Sequence, residues 1–447
     1  MVTTYRDLLD ADSRTAPAAM REEGRRDFGS APIAAGRYTD QAFFDREDAM
    51  MWGKVWQMAC REEDIPEVGD VHVYDMVDRS ALVVRSAPDV IEAFPNSCLH
   101  RGRKLMDESG QVEAMRCGFH GWTWNLDGSI RSVPCREEFA AISDADLHLP
   151  QVRAGRWGGF VFVCFDRDAP SLEEYLGVLP EHFERWRLED RWKAAHVARV
   201  IPCNWKVAQE AFMESYHVIA THPQILPFFS DVGSAYDALG PHVNRNMAAF
   251  GEPSPHLNER PSDRAVVEGM LGLWGREVPA DLDTADQSPR TFLGDAARRS
   301  IERSIDSDLD RATDAEMLDA VVYNVFPNFA PWGGFAPNIV YRWRPNGRDV
   351  DSCIMEVMIL KPLKPGQAKP RGVPVHWLSQ DEPWAAATEL PALGPVIDQD
   401  MGNMPSVQTG LKASATGLVH LATSMESRIR HFHTTLDAYL DGEVPRV

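Results

Sequence analysis

Cys98-Leu99-His100-Arg101-Gly102 and Cys117-Gly118-Phe119-His120-Gly121-Trp122 place four metal-type donors on two short loops. Each stretch supplies one thiol and one imidazole, and sixteen residues, Arg101 to Arg116, separate His100 from Cys117. Flanking glycines let the backbone curl so that the side chains converge. Two metal readings fit these residues. One is a tetrahedral Cys2His2 zinc site. The other is a two-iron, two-sulfur cluster with both thiolates on one iron and both imidazoles on the other. Zinc fingers usually put both Cys in one half and both His in the other, so the mixed halves favour the cluster.

Outward from these loops, Val71–Ser86 is rich in valine and partly alternating. It reads as two strands joined at Asp78-Arg79-Ser80, and Gly159–Asp166 reads as a third strand. Residues 38–170 are therefore expected to form a small all-β domain, preceded by an N-terminal helical segment at 1–37. After residue 171 a larger domain is expected, an antiparallel sheet surrounded by helices, which makes the fold class α+β. Its expected strands are Ala195–Ile201, Val321–Val325, Ile339–Trp343 and Cys353–Leu360. The expected helices run from Trp205 to Ala220, ended by Pro223, and from Met425 to Leu440, with Ile429, Phe432, Leu436 and Leu440 at helical spacing. The span Asp231–Asp310 reads as polar and irregular, with a short helix at Asp295–Ile305.

The chain has 447 residues, 44% hydrophobic and 25% charged, an ordinary globular balance. Lys plus Arg number 46 against 67 Asp plus Glu, a net charge of −21 that disfavours nucleic acid and anionic membranes as partners. No apolar run is long enough for a transmembrane helix, and the charged N-terminus lacks signal-peptide character, so a cytoplasmic location is expected. Seven scattered cysteines do not resemble a disulfide framework.

A second group of donors is Glu214, His217 and His222. Histidines five apart cannot share a metal on a regular helix, but Thr221 and Pro223 indicate that the helix loosens there. On spacing alone, a pair of buried core histidines is the commoner reading.

The two loops resemble the cluster-binding motif of the Rieske proteins, above all the catalytic α subunits of the aromatic-ring-hydroxylating dioxygenases. Glu214-x-x-His217-x-x-x-x-His222 resembles the mononuclear-iron motif of the same family. The resemblance implies a [2Fe-2S] cluster with Cys98 and Cys117 on one iron and His100 and His120 on the other. It also implies a non-haem Fe(II) held by His217, His222 and a downstream carboxylate. For that carboxylate Asp400 is expected, eight residues before Gln408, with Asp398 as the alternative. Glu214 would be no ligand. Its expected role is a hydrogen-bonded electron-transfer bridge between an iron-binding His and a cluster-binding His of the neighbouring subunit. Ala211 and Phe212 would face the substrate; members of the family often carry Asn, Asp and Tyr where this chain has Ala211, Glu214 and Phe119.

The implied function is the terminal oxygenase component of a multicomponent system. It would use O2 and electrons from NAD(P)H, through a reductase or ferredoxin, to hydroxylate an aromatic or polycyclic substrate. The alternatives are oxidative N- or O-dealkylation and, from a different class, a Rieske electron carrier without oxygenase activity. The resemblance further implies a homotrimer, with or without β subunits, in which the cluster of one chain lies near the mononuclear iron of the next. Arg101, Arg103 and Lys104 beside the cluster loop would dock an acidic ferredoxin or form internal salt bridges.

Overall fold

The computed structural model describes residues 3–278, 287–301, 309–336, 338–364 and 366–445. The first part of the chain is built from short antiparallel sheets. Strands Asp70–Met76, Arg79–Ala87 and Val90–Pro95, with Gly110–Gln111 at one edge, form one of them; Met115–Arg116, Thr123–Trp124 and Ile130–Ser132 form another. The first hairpin turns at Val77-Asp78, because Met76 pairs directly with Arg79. The expected turn at 78–80 is thus shifted, and Arg79 and Ser80 belong to the strand. Val71, Leu82, Val84, Phe94, Leu105, Trp122 and Trp124 close a core of their own around Cys98 and Cys117.

A third sheet, Arg153–Trp157, Phe160–Cys164 and Gln57–Arg61, ties this unit to the rest of the molecule. Arg342, ion-paired with Glu356 on the large sheet, donates to the carbonyls of Met58 and Ala59. Arg61 donates to the Arg191 carbonyl, 2.8 Å away. Buried guanidiniums with full sets of acceptors therefore fix the junction between the small unit and the large sheet.

Among the described residues the large sheet has eight strands. In spatial order they are Phe229–Ala238, Val243–Phe250, Ala320–Val325, Phe329–Pro331, Ile339–Asn346, Asp349–Pro362, Arg191–Ile201 and His376–Trp377. Every pairing is antiparallel except the last. Helices Asp263–Leu273, Pro289–Ile301, Leu393–Lys412 and Ser427–Leu440 pack around it. The mixed class expected from the sequence is what forms.

Several local expectations need correcting. The continuous helix from Trp205 to Ala220 is two short helices, Trp205–Glu210 and Val218–Thr221, with turns between. The described part of Asp231–Asp310 is not irregular: it contributes the second strand of the sheet, most of the first, and two helices. The helix placed at Asp295–Ile305 is Pro289–Ile301, and residues 302–308 lie outside the described residues. Among the described residues, the N-terminal segment holds two short helices, Tyr5–Asp10 and Ala18–Arg21, and the start of a third, Gly36–Thr39. It is otherwise extended and runs along the large domain, where Ile33 pairs with Val419 and Arg25 bridges to Ala238.

Helix Pro289–Ile301 is anchored by a buried bidentate pair, Arg290 to Asp319 at 2.8 and 2.9 Å. Tyr5 Oη and the Phe250 N–H also donate to Asp319, at 2.9 and 3.0 Å. Removing one partner leaves an uncompensated buried charge, which costs about 3–5 kcal/mol. Asp319→Ala is therefore expected to lower the denaturant midpoint sharply, whereas Arg276→Ala, an exposed change beyond the preceding helix, leaves it nearly unmoved; equal midpoints would contradict the anchoring role.

Candidate functional site: two metal centres and an apolar cavity

The cluster loops are two tight turns of the same design. Cys98 N–H donates to the Arg103 carbonyl (2.9 Å) and Gly102 N–H returns to Cys98 O (2.9 Å). Likewise Cys117 N–H donates to Trp122 O (2.8 Å) and Gly121 N–H to Cys117 O (3.0 Å). Gly102 and Gly121 take φ of 73° and 78°, a left-handed conformation in which a side chain would be strained. The turns aim backbone N–H groups at the sulfurs: those of His100 and Arg101 at Cys98, and those of Phe119 and His120 at Cys117. The two thiols are buried and hydrogen-bonded to each other. Burial raises the Cys98 thiol. At Cys117 the opposing N–H groups, Cys98 and the Arg103 charge overcome burial and hold it below the ordinary value.

His100 and His120 approach to 4.6 Å between ring centroids, and His100 stacks on Trp122 at 5.1 Å, nearly parallel. Nδ1 of His100 is buried without a hydrogen-bond partner. Two adjacent thiols, two adjacent imidazoles and an orphaned ring nitrogen fit a cluster ligated by two Cys and two His. His120, Phe119 and Leu99 reach the surface. Of the three basic residues here, Arg103 pairs with Asp107 (2.8 Å) and Lys104 with Asp75 (3.0 Å), which leaves Arg101 over the Phe119 ring.

The second centre depends on the broken helix. After Glu210 the Glu214 carboxylate accepts the N–H of His217 (2.9 Å) and contacts its Nδ1 (2.7 Å), replacing helical bonding with a side-chain turn. His222 then leaves its short helix at φ −125° and ψ 50° just ahead of Pro223. The two rings meet at 5.2 Å. The carboxylate comes from the long helix Leu393–Lys412, where Ile397, Asp400, Met404 and Gln408 form the buried face. Asp398, two positions away, points elsewhere and accepts the N–H groups of Trp384 (2.7 Å) and Ala385 (3.0 Å). The structure therefore brings Asp400, not the alternative Asp398, to the histidines.

One donor atom from each of His217, His222 and Asp400 lies within 4.8 Å of the others. Asp400 Oδ1 is 2.9 Å from His222 Nε2 and 3.6 Å from His217 Nε2. Both Nδ1 atoms are already engaged, that of His217 by Glu214 and that of His222 by Gln399 Oε1 at 2.8 Å. A neutral ring that donates from Nδ1 carries its lone pair on Nε2. Such lone pairs facing a carboxylate call for a shared proton or a metal ion between them, and two imidazoles plus one carboxylate is a set that ferrous iron accepts. Burial disfavours the charged His217 ring, but Glu214 and Asp400 outweigh it and hold its pKa above the ordinary value.

This face opens into a cavity of about 530 Å³ whose walls are mostly apolar, including Ile225, Met270, Leu273, Trp332 and Ile339. Ala211 and Phe212 line it beside the triad, and Phe212 packs on Tyr341 (4.9 Å) and Trp343 (5.2 Å). Sequence reasoning missed Gln399, which holds His222, and most of the wall, because the helices that carry the wall fell in segments read as irregular. Arg276 and Ser300 at the rim were also missed. The adjacency of Gln399 to Asp400 was the one available signal.

Comparison with known proteins agrees with both centres. Residues 55–152 match the Rieske [2Fe-2S] domain, and residues 181–442, more than half the chain, match the ring hydroxylating alpha subunit (catalytic domain). The chain is 33% identical over 193 residues to the biphenyl 2,3-dioxygenase subunit alpha of Rhodococcus jostii (strain RHA1), covering 41% of this chain and 42% of that protein. It is 30% identical over 194 residues to the carnitine monooxygenase oxygenase subunit of Escherichia coli (strain K12), covering 43% of this chain and 52% of that protein. The chain thus matches about half the length of these relatives. A naphthalene 1,2-dioxygenase structure shares its fold at TM-score 0.64 and 18% identity, covering 93% of both chains. The quaternary ammonium Rieske monooxygenase CntA with L-carnitine does so at 0.63 and 17%, covering 92% of this chain and 96% of that one. The chain belongs to the Rieske oxygenase α-subunit family, whose cofactors are a [2Fe-2S] cluster and a non-haem iron.

Proposed function

We propose that this chain is the terminal oxygenase component of a multicomponent system, hydroxylating an aromatic or polycyclic substrate with O2 and with electrons delivered from NAD(P)H by a reductase or ferredoxin. The observation that carries the proposal is the opening of the His217–His222–Asp400 face into an apolar cavity, in the same chain as the cluster loops. An electron carrier has no use for such a cavity. Cys98, His100, Cys117 and His120 would hold the cluster; His217, His222 and Asp400 would hold Fe(II). Fe(II) held by those two imidazoles and that carboxylate would supply the O2 activation.

The protein contributes the rest. Glu214 and Gln399 fix the two imidazoles so that both Nε2 atoms face Asp400. Phe212, Trp332 and Tyr341 form a wall that excludes water and holds a flat apolar ring against the triad. Glu214, with its side chain 8% exposed, holds His217, whose side chain is 25% exposed, beside exposed Tyr216 and Ile219. Leu99 and Phe119 are likewise exposed beside the cluster histidines. Two apolar patches, one at each centre, support a head-to-tail trimer that covers both and places the cluster of one chain against Glu214 of the next. Arg101, without an acidic partner among the described residues, is the basic group left to meet a ferredoxin.

No helix among the described residues is long and apolar enough to cross a membrane. The acidity of the chain supports small molecules and redox proteins, not nucleic acid, as partners.

The test is substrate-dependent oxygen uptake by the iron-loaded protein with a reductase and ferredoxin, across a panel of aromatic compounds with products identified by mass. Products heavier by one or two oxygen atoms are expected. Cluster reduction without any oxygenated product across the panel would contradict the proposal.

A further inference from the structure

The cavity that ends at the triad has one cationic side chain on its walls among the described residues, Arg276. Its position is set by the end of helix Asp263–Leu273. Gly275 turns left-handed at φ 63° and Arg276 N–H bonds back to the Leu271 carbonyl at 2.8 Å, a C-terminal reversal that returns the chain over the helix end. The guanidinium then lies 5.1 Å above the Trp274 ring and donates to Ser300 Oγ (2.9 Å) on helix Pro289–Ile301. Trp274 and Ser300 both line the same cavity. No carboxylate among the described residues pairs with Arg276, although the chain has 67 acidic residues and most of its arginines are ion-paired. A planar donor fork, steadied by an aromatic face and a hydroxyl at the rim of an apolar cavity, has the chemistry of an oxyanion subsite.

Resting on the oxygenase proposal, we infer that the substrate is amphipathic: an apolar cyclic body beside the triad and a carboxylate that Arg276 and Ser300 hold at the rim. The pairing orients the body so that one edge of the ring faces the triad. Arg276 is thus a recognition residue, and it takes no part in oxygen chemistry.

The test is calorimetric binding of naphthalene-2-carboxylate and its primary amide to the iron-loaded protein. Tighter binding of the acid by about tenfold is expected, the scale of one charge-assisted pair at a partly exposed site, shrinking as salt is raised. Arg276→Gln is expected to bring acid and amide level with the amide affinity unchanged, and Arg276→Lys to keep part of the preference. Arg276→Glu is expected to reverse it in favour of 2-(aminomethyl)naphthalene. Equal affinities for acid and amide in the unmodified protein, no binding of the acid, or an acid preference that survives Arg276→Gln overturns the inference. So does a lowered melting temperature in Arg276→Gln with the preference intact, which identifies Arg276 as a helix-end group only. An acid that binds through Arg276 yet is never oxygenated leaves the subsite standing and contradicts the oxygenase proposal instead.

Discussion

Asp400→Ala is expected to abolish oxygenated product while leaving the Rieske signal and the fold intact. The carboxylate is 6% exposed and faces Nε2 of both histidines, and among the described residues it is the acidic member of the group that could hold a metal there. Without it, two neutral imidazoles remain at the end of an apolar cavity, a set too weak to retain ferrous iron. The iron content should fall by one per chain, with product below detection. The Asp398→Ala variant provides the contrast. It loses the cap on the Trp384–Ala386 turn, worth about 1 kcal/mol, and keeps its iron. Iron loss in Asp398→Ala but not in Asp400→Ala would reverse the assignment.

Glu214→Gln has the second large effect. Glu214 holds His217 by one hydrogen bond to the ring and one to the backbone N–H, and in the proposed trimer it would be the side chain that meets an imidazole of the neighbouring chain. The glutamine keeps the shape and one acceptor but loses the charge. Both centres should load, and dithionite should reduce the cluster normally. Substrate-triggered reoxidation and product formation are then expected to fall together by about 10- to 100-fold or more, the range seen for groups that orient metal ligands. Wild-type-like product formation with correct iron loading would sink the bridging role. Loss of iron in Glu214→Gln would reduce Glu214 to a positioning group for His217.

The legibility of these features in the sequence follows from how local their causes are. The cluster loops could be read directly, because each half of the donor set sits on one turn and the glycines that shape the turns are adjacent in sequence. The triad was only partly legible. His217 and His222 converge because Glu214 captures the His217 N–H and breaks the helix, a competition between side chain and backbone that periodicity does not register. Asp400 belongs to a twenty-residue helix disguised by Gly394, Pro395, Gly402, Pro405 and Gly410; its helical spacing shows only once the buried face is known.

The region after Asp231 was misread for a different reason. In strand Val243–Phe250 the buried Asn244, Arg245 and Asn246 remove the apolar alternation that marks a strand. Their partners are distant in sequence: Arg428 and His431 for Asn244, and Tyr323 and the Ala19 carbonyl for Arg245. Buried polar groups satisfied by remote partners look like loop when read locally. That misreading hid which residues of the region line the cavity and its rim.

The account requires two different iron centres on one chain, and spectroscopy counts them directly. Iron per chain should be measured on the reconstituted protein. The reduced cluster is then quantified by its electron-paramagnetic-resonance signal, and the mononuclear site by the signal of its ferrous nitric oxide adduct. The expected result is three irons per chain, two in the cluster and one at His217, His222 and Asp400, with the nitric oxide signal absent in Asp400→Ala. Two irons and no nitric oxide signal would make the protein an electron carrier, and bound zinc without a cluster signal would contradict the account altogether.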